Sequence, residues 1–77
     1  MIVLKLVSKK GLKNTYEFDA LGLSGEIIVN TETFDIQYQS ATGHYENDEK
    51  AKGSILYKCL KVLKSENFPN ECIYATH

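Results

Sequence analysis

The sequence contains no arginine: its nine basic side chains are all lysines, and ten acidic residues bring the net charge to −1. Arginine is the preferred side chain for forked contacts to carboxylate, phosphate and guanine, so its absence argues against base-specific recognition of nucleic acid. A net charge near zero also argues against non-specific nucleic-acid affinity as the main function. A genome biased towards A and T accounts for the all-lysine set.

Cysteine is scarce, with only Cys59 and Cys72 among 77 residues. They form no CxxC pair and no histidines cluster near them, so the sequence predicts no structural zinc. Cys59 falls among leucines at helical spacing, which is typical of a buried free thiol. We therefore expect two reduced cysteines. The alternative is a mutual disulfide, which would need Cα atoms within about 7 Å of each other.

Long hydrophobic runs are also missing. No segment approaches the ~18 apolar residues that a membrane span requires. The apolar stretch 2–7 is short and contains Lys5, unlike the core of a signal peptide. Together with the unpaired cysteines, this predicts a cytoplasmic protein with no membrane association. A chain of 77 residues has room for one domain, which we expect to span residues 1–77.

No catalytic or nucleotide-binding motif stands out. The segment 52–54 (KGS) has the wrong residue order for a phosphate loop and falls within a predicted helix. The segment 22–25 misses the spacing of a nucleophile elbow by one position. His44 precedes three acidic residues between positions 46 and 49, whose presence is explained by helix capping. We therefore expect no enzymatic activity, no metal and no cofactor.

Four segments alternate apolar and polar residues, which predicts four β-strands over 2–7, 14–19, 26–30 and 34–39. The residues that share one phase should face the core: Ile2, Leu4, Leu6, Tyr16, Phe18, Ile27, Val29, Phe34, Ile36 and Tyr38. The segments 8–11, 21–25, 30–33 and 40–46 carry turn residues and are expected to connect the strands. Consecutive strands with short connections usually pair, so the simplest arrangement is an antiparallel meander.

One amphipathic helix is predicted from about Asn47 to Glu66. Asn47 or Asp48 is a suitable N-cap, and Pro69 stops the helix. The apolar stripe recurs at helical spacing through Ile55, Leu56, Cys59, Leu60 and Leu63. Gly53 falls in the first turns, so the helix entry should fray or lie close to another backbone.

A last short strand is expected over 71–76, either at an edge of the sheet or beside the first strand. Either Ile73, or Cys72 and Tyr74, should point inward. The predicted fold class is therefore α+β: a four-stranded antiparallel meander plus one amphipathic helix and a short C-terminal strand, in the order ββββαβ.

Three apolar residues, Val3, Val7 and Ile28, occupy the phase of the sheet that should face water. Exposed apolar patches often mark an interface, so these three are the candidate protein-binding residues. Single surface valines are also common, and the chain's tail folding over them is a further alternative.

Two groups of lysines are candidate contacts to phosphate or to an acidic partner. Lys9, Lys10 and Lys13 surround Gly11, and Lys58, Lys61 and Lys64 recur along the predicted helix. Ordinary solvated surface is the competing interpretation for both groups.

Two functional hypotheses remain. The favoured one is a non-enzymatic protein-interaction module that binds a protein partner or forms a homodimer through the outer sheet face or an edge strand. The alternative is a weak, sequence-nonspecific nucleic-acid binder that uses the lysine clusters and Lys5. The charge balance makes nucleic acid the less favoured partner.

Overall fold

The alternating segments fold into consecutive antiparallel strands in the computed structural model, which describes residues 1–75. Within these residues the elements are β1 (Ile2–Lys10), β2 (Lys13–Ala20), β3 (Leu23–Asn30), β4 (Ile36–Gly43), α1 (Glu49–Ser65) and β5 (Glu71–Tyr74). The strands form one antiparallel sheet in the order β4-β3-β2-β1-β5. The predicted ββββαβ fold is confirmed, and the last strand pairs with β1. Thr76, the end of the predicted last strand, lies outside the described residues.

The core forms between α1 and one face of the sheet, here called the inner face. Tyr16, Phe18 and Ile27 are buried there, as their phase predicts. The helix contributes the buried side chains Ile55, Cys59, Val62 and Leu63. Burial of these apolar groups is the main term that stabilises so small a sheet.

Two tyrosines of the inner face tie the sheet to the segments that cover it. The Tyr16 hydroxyl donates to the carbonyl of Pro69 at 2.8 Å, and the Tyr38 hydroxyl donates to the carbonyl of Lys52 at 2.7 Å. The Lys52 Nζ also lies 5.3 Å from the centre of the Tyr38 ring. The helix backbone accordingly approaches β4 more closely than any other strand.

Three of the predicted connections contain a turn, as expected, but are shorter than predicted because part of each segment is strand. β1 continues through Ser8 as far as Lys10, so the turn consists of Gly11, where it was predicted, and Leu12. β3 already begins at Leu23, within the predicted connection 21–25. β4 runs to Gly43, through most of the predicted loop 40–46.

Gly25 explains why a glycine-rich segment is strand rather than loop. Its φ is 152°, and a Cβ built there would collide with the carbonyl of Ser40 on β4. Glycine therefore allows β3 and β4 to approach each other at this point, which is a common use of glycine within a strand. The β3–β4 register shifts just beyond it, between Glu26 and Ile27.

Phe34 was expected to open the fourth strand as an inward residue, and this is wrong. It precedes β4 with a positive φ of 66° and is 39% exposed. In this turn the side-chain oxygen of Asn30 accepts hydrogen bonds from two backbone amides. These bonds hold the segment as a turn, so it does not continue as a regular strand. The Phe34 ring instead stacks on Phe68, with 6.1 Å between ring centres.

Both ends of α1 agree with the predicted ends to within two residues. The Asp48 carboxylate accepts a hydrogen bond from the Ala51 amide at 3.0 Å and caps the N-terminus. At the other end, Asn67 and Phe68 both have positive φ, and the amide of Phe68 donates to the carbonyl of Leu63. Gly53 has no atom within 4 Å of a built Cβ, so the expected neighbouring backbone is absent there.

Candidate interaction surfaces

The three predicted interface residues lie on the sheet face turned away from α1, here called the outer face. Val7 is 49% exposed, whereas Val3 and Ile28 are half-buried. Val7 and Ile28 line the same shallow depression. Val3 lies at the other end of β1, opposite Ile73 of β5, which is 63% exposed. The structure therefore brings two of the three together and adds Ile73, which the sequence analysis missed.

A β-bulge in β1 shapes this depression. Leu6 pairs with Tyr16, yet Ser8 pairs with Thr15, so Val7 is the extra residue of the bulge. The depression has a volume of about 370 Å³. Its lining combines apolar, polar and charged groups: Val7, Ser8, Lys10, Lys13, Thr15, Glu26, Ile28 and Gln39.

The bulge also separates the first group of lysines. Lys10 pairs with Lys13 on the outer face, and both line the depression. Lys9 pairs with the buried Asn14, which places it on the opposite side of the sheet. The predicted cluster is thus two lysines on the outer face and one on the inner side.

Charge changes sign along the outer face. On β2 the exposed residues run from Lys13 at one end to Glu17 and Asp19 at the other. Glu17 pairs with Glu26 on β3 and with Lys5 on β1. The face therefore has a basic end beside the depression and an acidic region at its centre and far end.

The helix lysines lie at two different places. Lys64 Nζ lies 4.4 Å from the centre of the Phe34 ring, which is a cation–π contact. Lys58 and Lys61 instead line a separate groove between α1 and the β1–β5 edge of the sheet.

This groove, here called the β5 groove, is the largest of the concave surfaces described, with a volume of about 820 Å³. Its lining is mainly apolar: Met1, Ile2, Leu21, Lys58, Lys61, Val62, Ser65, Tyr74 and Ala75. Among the described residues of that lining, Lys58 and Lys61 supply the only charged side chains. The sequence analysis missed it because it depends on β5 pairing with β1.

The acidic cluster beside His44 serves the backbone. Asp48 caps α1, and the Glu46 carboxylate accepts from the amide of Gly43 at 3.4 Å. The His44 ring packs edge-on against the Tyr45 ring, with 4.6 Å between the ring centres. Among residues 1–75 no group of three metal-ligating side chains is close enough to hold an ion.

Both cysteines are free thiols. Burial raises the pKa of Cys59 from an ordinary 9.0 to about 12, so this thiol stays protonated at neutral pH. Burial, followed by the negative charge of Glu66, also raises the pKa of Cys72. Neither environment activates a thiolate nucleophile.

Comparison of the chain with protein-family models, curated proteins and solved structures finds no match. Within the described part of the chain, no helix is long and apolar enough to cross a membrane.

Proposed function

We propose that this domain is a non-enzymatic protein-interaction module that self-associates through the outer face of its sheet. The observation that carries the proposal is the combination of exposed apolar side chains with a reversal of charge along that face. Val7 and Ile28 lie at the basic end, and Val3 and Ile73 lie at the acidic end.

Such a face is complementary to itself. In a twofold dimer the same surface patch meets its own copy. An axis in the interface plane and perpendicular to the strands would place Lys13 of one copy over Asp19 of the second copy. It would also carry the Val7 end of one β1 towards the Val3 end of the other. Charge attraction and apolar burial would then act together.

A cytoplasmic location remains a prediction that belongs with this proposal. It is supported by Cys59 and Cys72, which are both free thiols, since reducing compartments keep thiols unpaired.

Light scattering coupled to size exclusion, over a range of protein concentrations, tests self-association. We expect a dimer that dissociates with Ile28→Lys or Val7→Lys and that weakens as salt rises. Tyr57→Lys is the control, because Tyr57 is an exposed aromatic side chain on the helix, away from the outer face. Circular dichroism checks that each variant folds. A monomer at every concentration, or dissociation by Tyr57→Lys alone, would overturn the proposal.

The second candidate function is weak binding of nucleic acid, favoured by the juxtaposition of Lys10 and Lys13 at the depression. Fluorescence anisotropy with single-stranded RNA at low salt measures it directly. Binding that falls steeply with salt and is lost in the double variant Lys10→Glu, Lys13→Glu would support this candidate. Absence of binding at low salt would eliminate it.

A further inference from the structure

We propose that the β5 groove binds an extended acidic segment of a partner protein, which adds to the sheet as a strand beside β5. The groove lies on the inner side of the sheet, whereas the added strand would also border the outer face at Ile73, which belongs to the proposed dimer face. Three observations carry the proposal: the free backbone edge of β5, the apolar floor of the groove, and the two lysines that line it.

The hydrogen-bond ladder fixes which backbone groups of β5 are available. The amide of Leu6 donates to the carbonyl of Asn70 at 2.7 Å. Pairs in an antiparallel ladder alternate between bonded and non-bonded, so Leu4–Cys72 and Ile2–Tyr74 are also bonded pairs. The backbone groups of Glu71 and Ile73 therefore point away from β1, towards the open edge of the sheet.

The sheet order leaves this edge unpaired within residues 1–75, because β5 has β1 as its single neighbour. An added peptide strand would take its main-chain hydrogen bonds from Glu71 and Ile73. Strand addition of this kind supplies affinity through the main chain and specificity through alternate side chains.

The groove determines the chemistry of those alternate side chains. Residues of an added strand that face α1 would enter the groove, whose apolar lining includes Ile2, Val62 and Tyr74. The charged side chains of the lining, Lys58 and Lys61, stand one helical turn apart on α1. The complementary side chain has an aliphatic stem and a carboxylate end, as glutamate does. The intervening residues would lie beside Ile73 on the outer face and should be apolar.

A second copy of this chain fits the same edge poorly. Antiparallel pairing of β5 with β5 would keep both helices on one side of a continuous sheet. Lys58 and Lys61 of both copies would then gather around the joint, and like charges in close contact are unfavourable. The charge of the groove thus favours an acidic partner strand over self-pairing.

The probe is a fluorescein-labelled peptide of alternating glutamate and valine, with a lysine–valine peptide as the charge-reversed control. We expect fluorescence anisotropy to show binding of the first peptide alone. The double variant Lys58→Glu, Lys61→Glu should weaken binding by roughly tenfold or more. Lys50→Glu is the matched control, since Lys50 is an exposed lysine of the same helix outside the groove.

A second variant tests strand addition separately from charge. Ile73→Pro removes a backbone N–H that points to the open edge, so it should leave pairing with β1 intact and abolish peptide binding. In the parent protein, the Ile73 amide should become protected from hydrogen exchange when the glutamate–valine peptide is added. Circular dichroism confirms that the variant folds.

Three results would overturn the proposal. The first is no change in the anisotropy of the labelled peptide when the protein concentration is raised to about 1 mM. The second is binding that survives both the lysine variant and Ile73→Pro. The third is single-stranded RNA binding that depends on Lys58 and Lys61 but not on Ile73, which would assign the groove to nucleic acid. Because Ile73 also belongs to the proposed dimer face, the peptide titration is repeated in Ile28→Lys, which separates strand addition from self-association.

Discussion

Cys59 and Cys72 differ in burial, and this difference predicts their reactivity. Cys59 is 1% exposed on the buried side of α1, whereas Cys72 is partly exposed on the short strand β5. At pH 8 we expect a disulfide reagent such as dithionitrobenzoate to modify Cys72 first and Cys59 only as the protein unfolds. The variant Cys72→Ser should lose the early reaction, and both thiols should react rapidly in urea. Equal rates for the two thiols in the folded protein would contradict this assignment.

The raised pKa of Cys59 also predicts loss of stability in alkali. A thiol whose pKa is 9.0 when exposed and about 12 when folded contributes its full stabilisation below pH 9. That contribution declines as pH rises from 9 towards 12, because the unfolded chain can then ionise and the folded one cannot. Tyr38 acts in the same direction above pH 10, since burial raises its pKa to about 12.

Urea unfolding between pH 7 and pH 11 measures this decline. Cys59→Ala should be less stable than the parent at pH 7, because it leaves a cavity. Its free energy of unfolding should nevertheless fall less steeply above pH 9. Parallel curves for parent and variant would show that Cys59 does not cause the decline.

At the scale of elements, two glycines should respond to alanine in opposite directions. Gly53 lies within α1 with open space around a built Cβ, so Gly53→Ala should raise the free energy of unfolding by about 0.5–1 kcal/mol. Gly25→Ala forces a Cβ against the carbonyl of Ser40 at a φ of 152° and should destabilise by more than that gain. Urea midpoints of the two variants test both signs. Destabilisation by Gly53→Ala would mean that the glycine has a role in the helix entry.

The elements were predictable where a regular period holds and unpredictable where it breaks. Alternation placed Tyr16 and Phe18 on the inner face, and capping residues placed the ends of α1, because both signals are local. The bulge at Val7 was not visible in the same way, since it depends on how β1 and β2 pair. Gly25 was assigned to a connection because glycine suggests a turn until its close neighbour on β4 is known.

The candidate sites show the same limit. Val3, Val7 and Ile28 were placed on the outer face by their phase, and they do lie there. Ile73 and the β5 groove were missed for two reasons. A four-residue strand is too short to show a clear alternation of apolar and polar residues, and its partner strand β1 is distant in sequence. Sites that one strand's phase defines can be predicted from sequence, whereas sites between distant elements need the topology.

At the scale of the whole molecule, one helix covers one face of a five-stranded sheet and lies nearest to β4. The opposite side of the molecule is therefore the less supported one: β5 has four residues and pairs with β1 over Ile2–Lys5 alone. Two hydrogen bonds connect the sheet to the segment that leads into β5. The Leu6 amide donates to the carbonyl of Asn70, and the Tyr16 hydroxyl donates to the carbonyl of Pro69. Local opening should thus begin at β5, because local stability follows the extent of packing and pairing.

Native-state hydrogen exchange tests this order. The Cys72 and Tyr74 amides, which pair with β1, should exchange well before the Phe18 amide in the centre of the sheet. Tyr16→Phe removes the hydroxyl that donates to Pro69 and should cost about 1 kcal/mol of global stability. Hydrogen exchange of the β5 amides should become faster by more than the loss of global stability explains. Tyr38→Phe, which removes the hydrogen bond to Lys52, should not produce this extra increase in β5. If β5 amides exchange as slowly as Phe18, β5 opens only with the whole sheet, and the groove beside it is as rigid as the core.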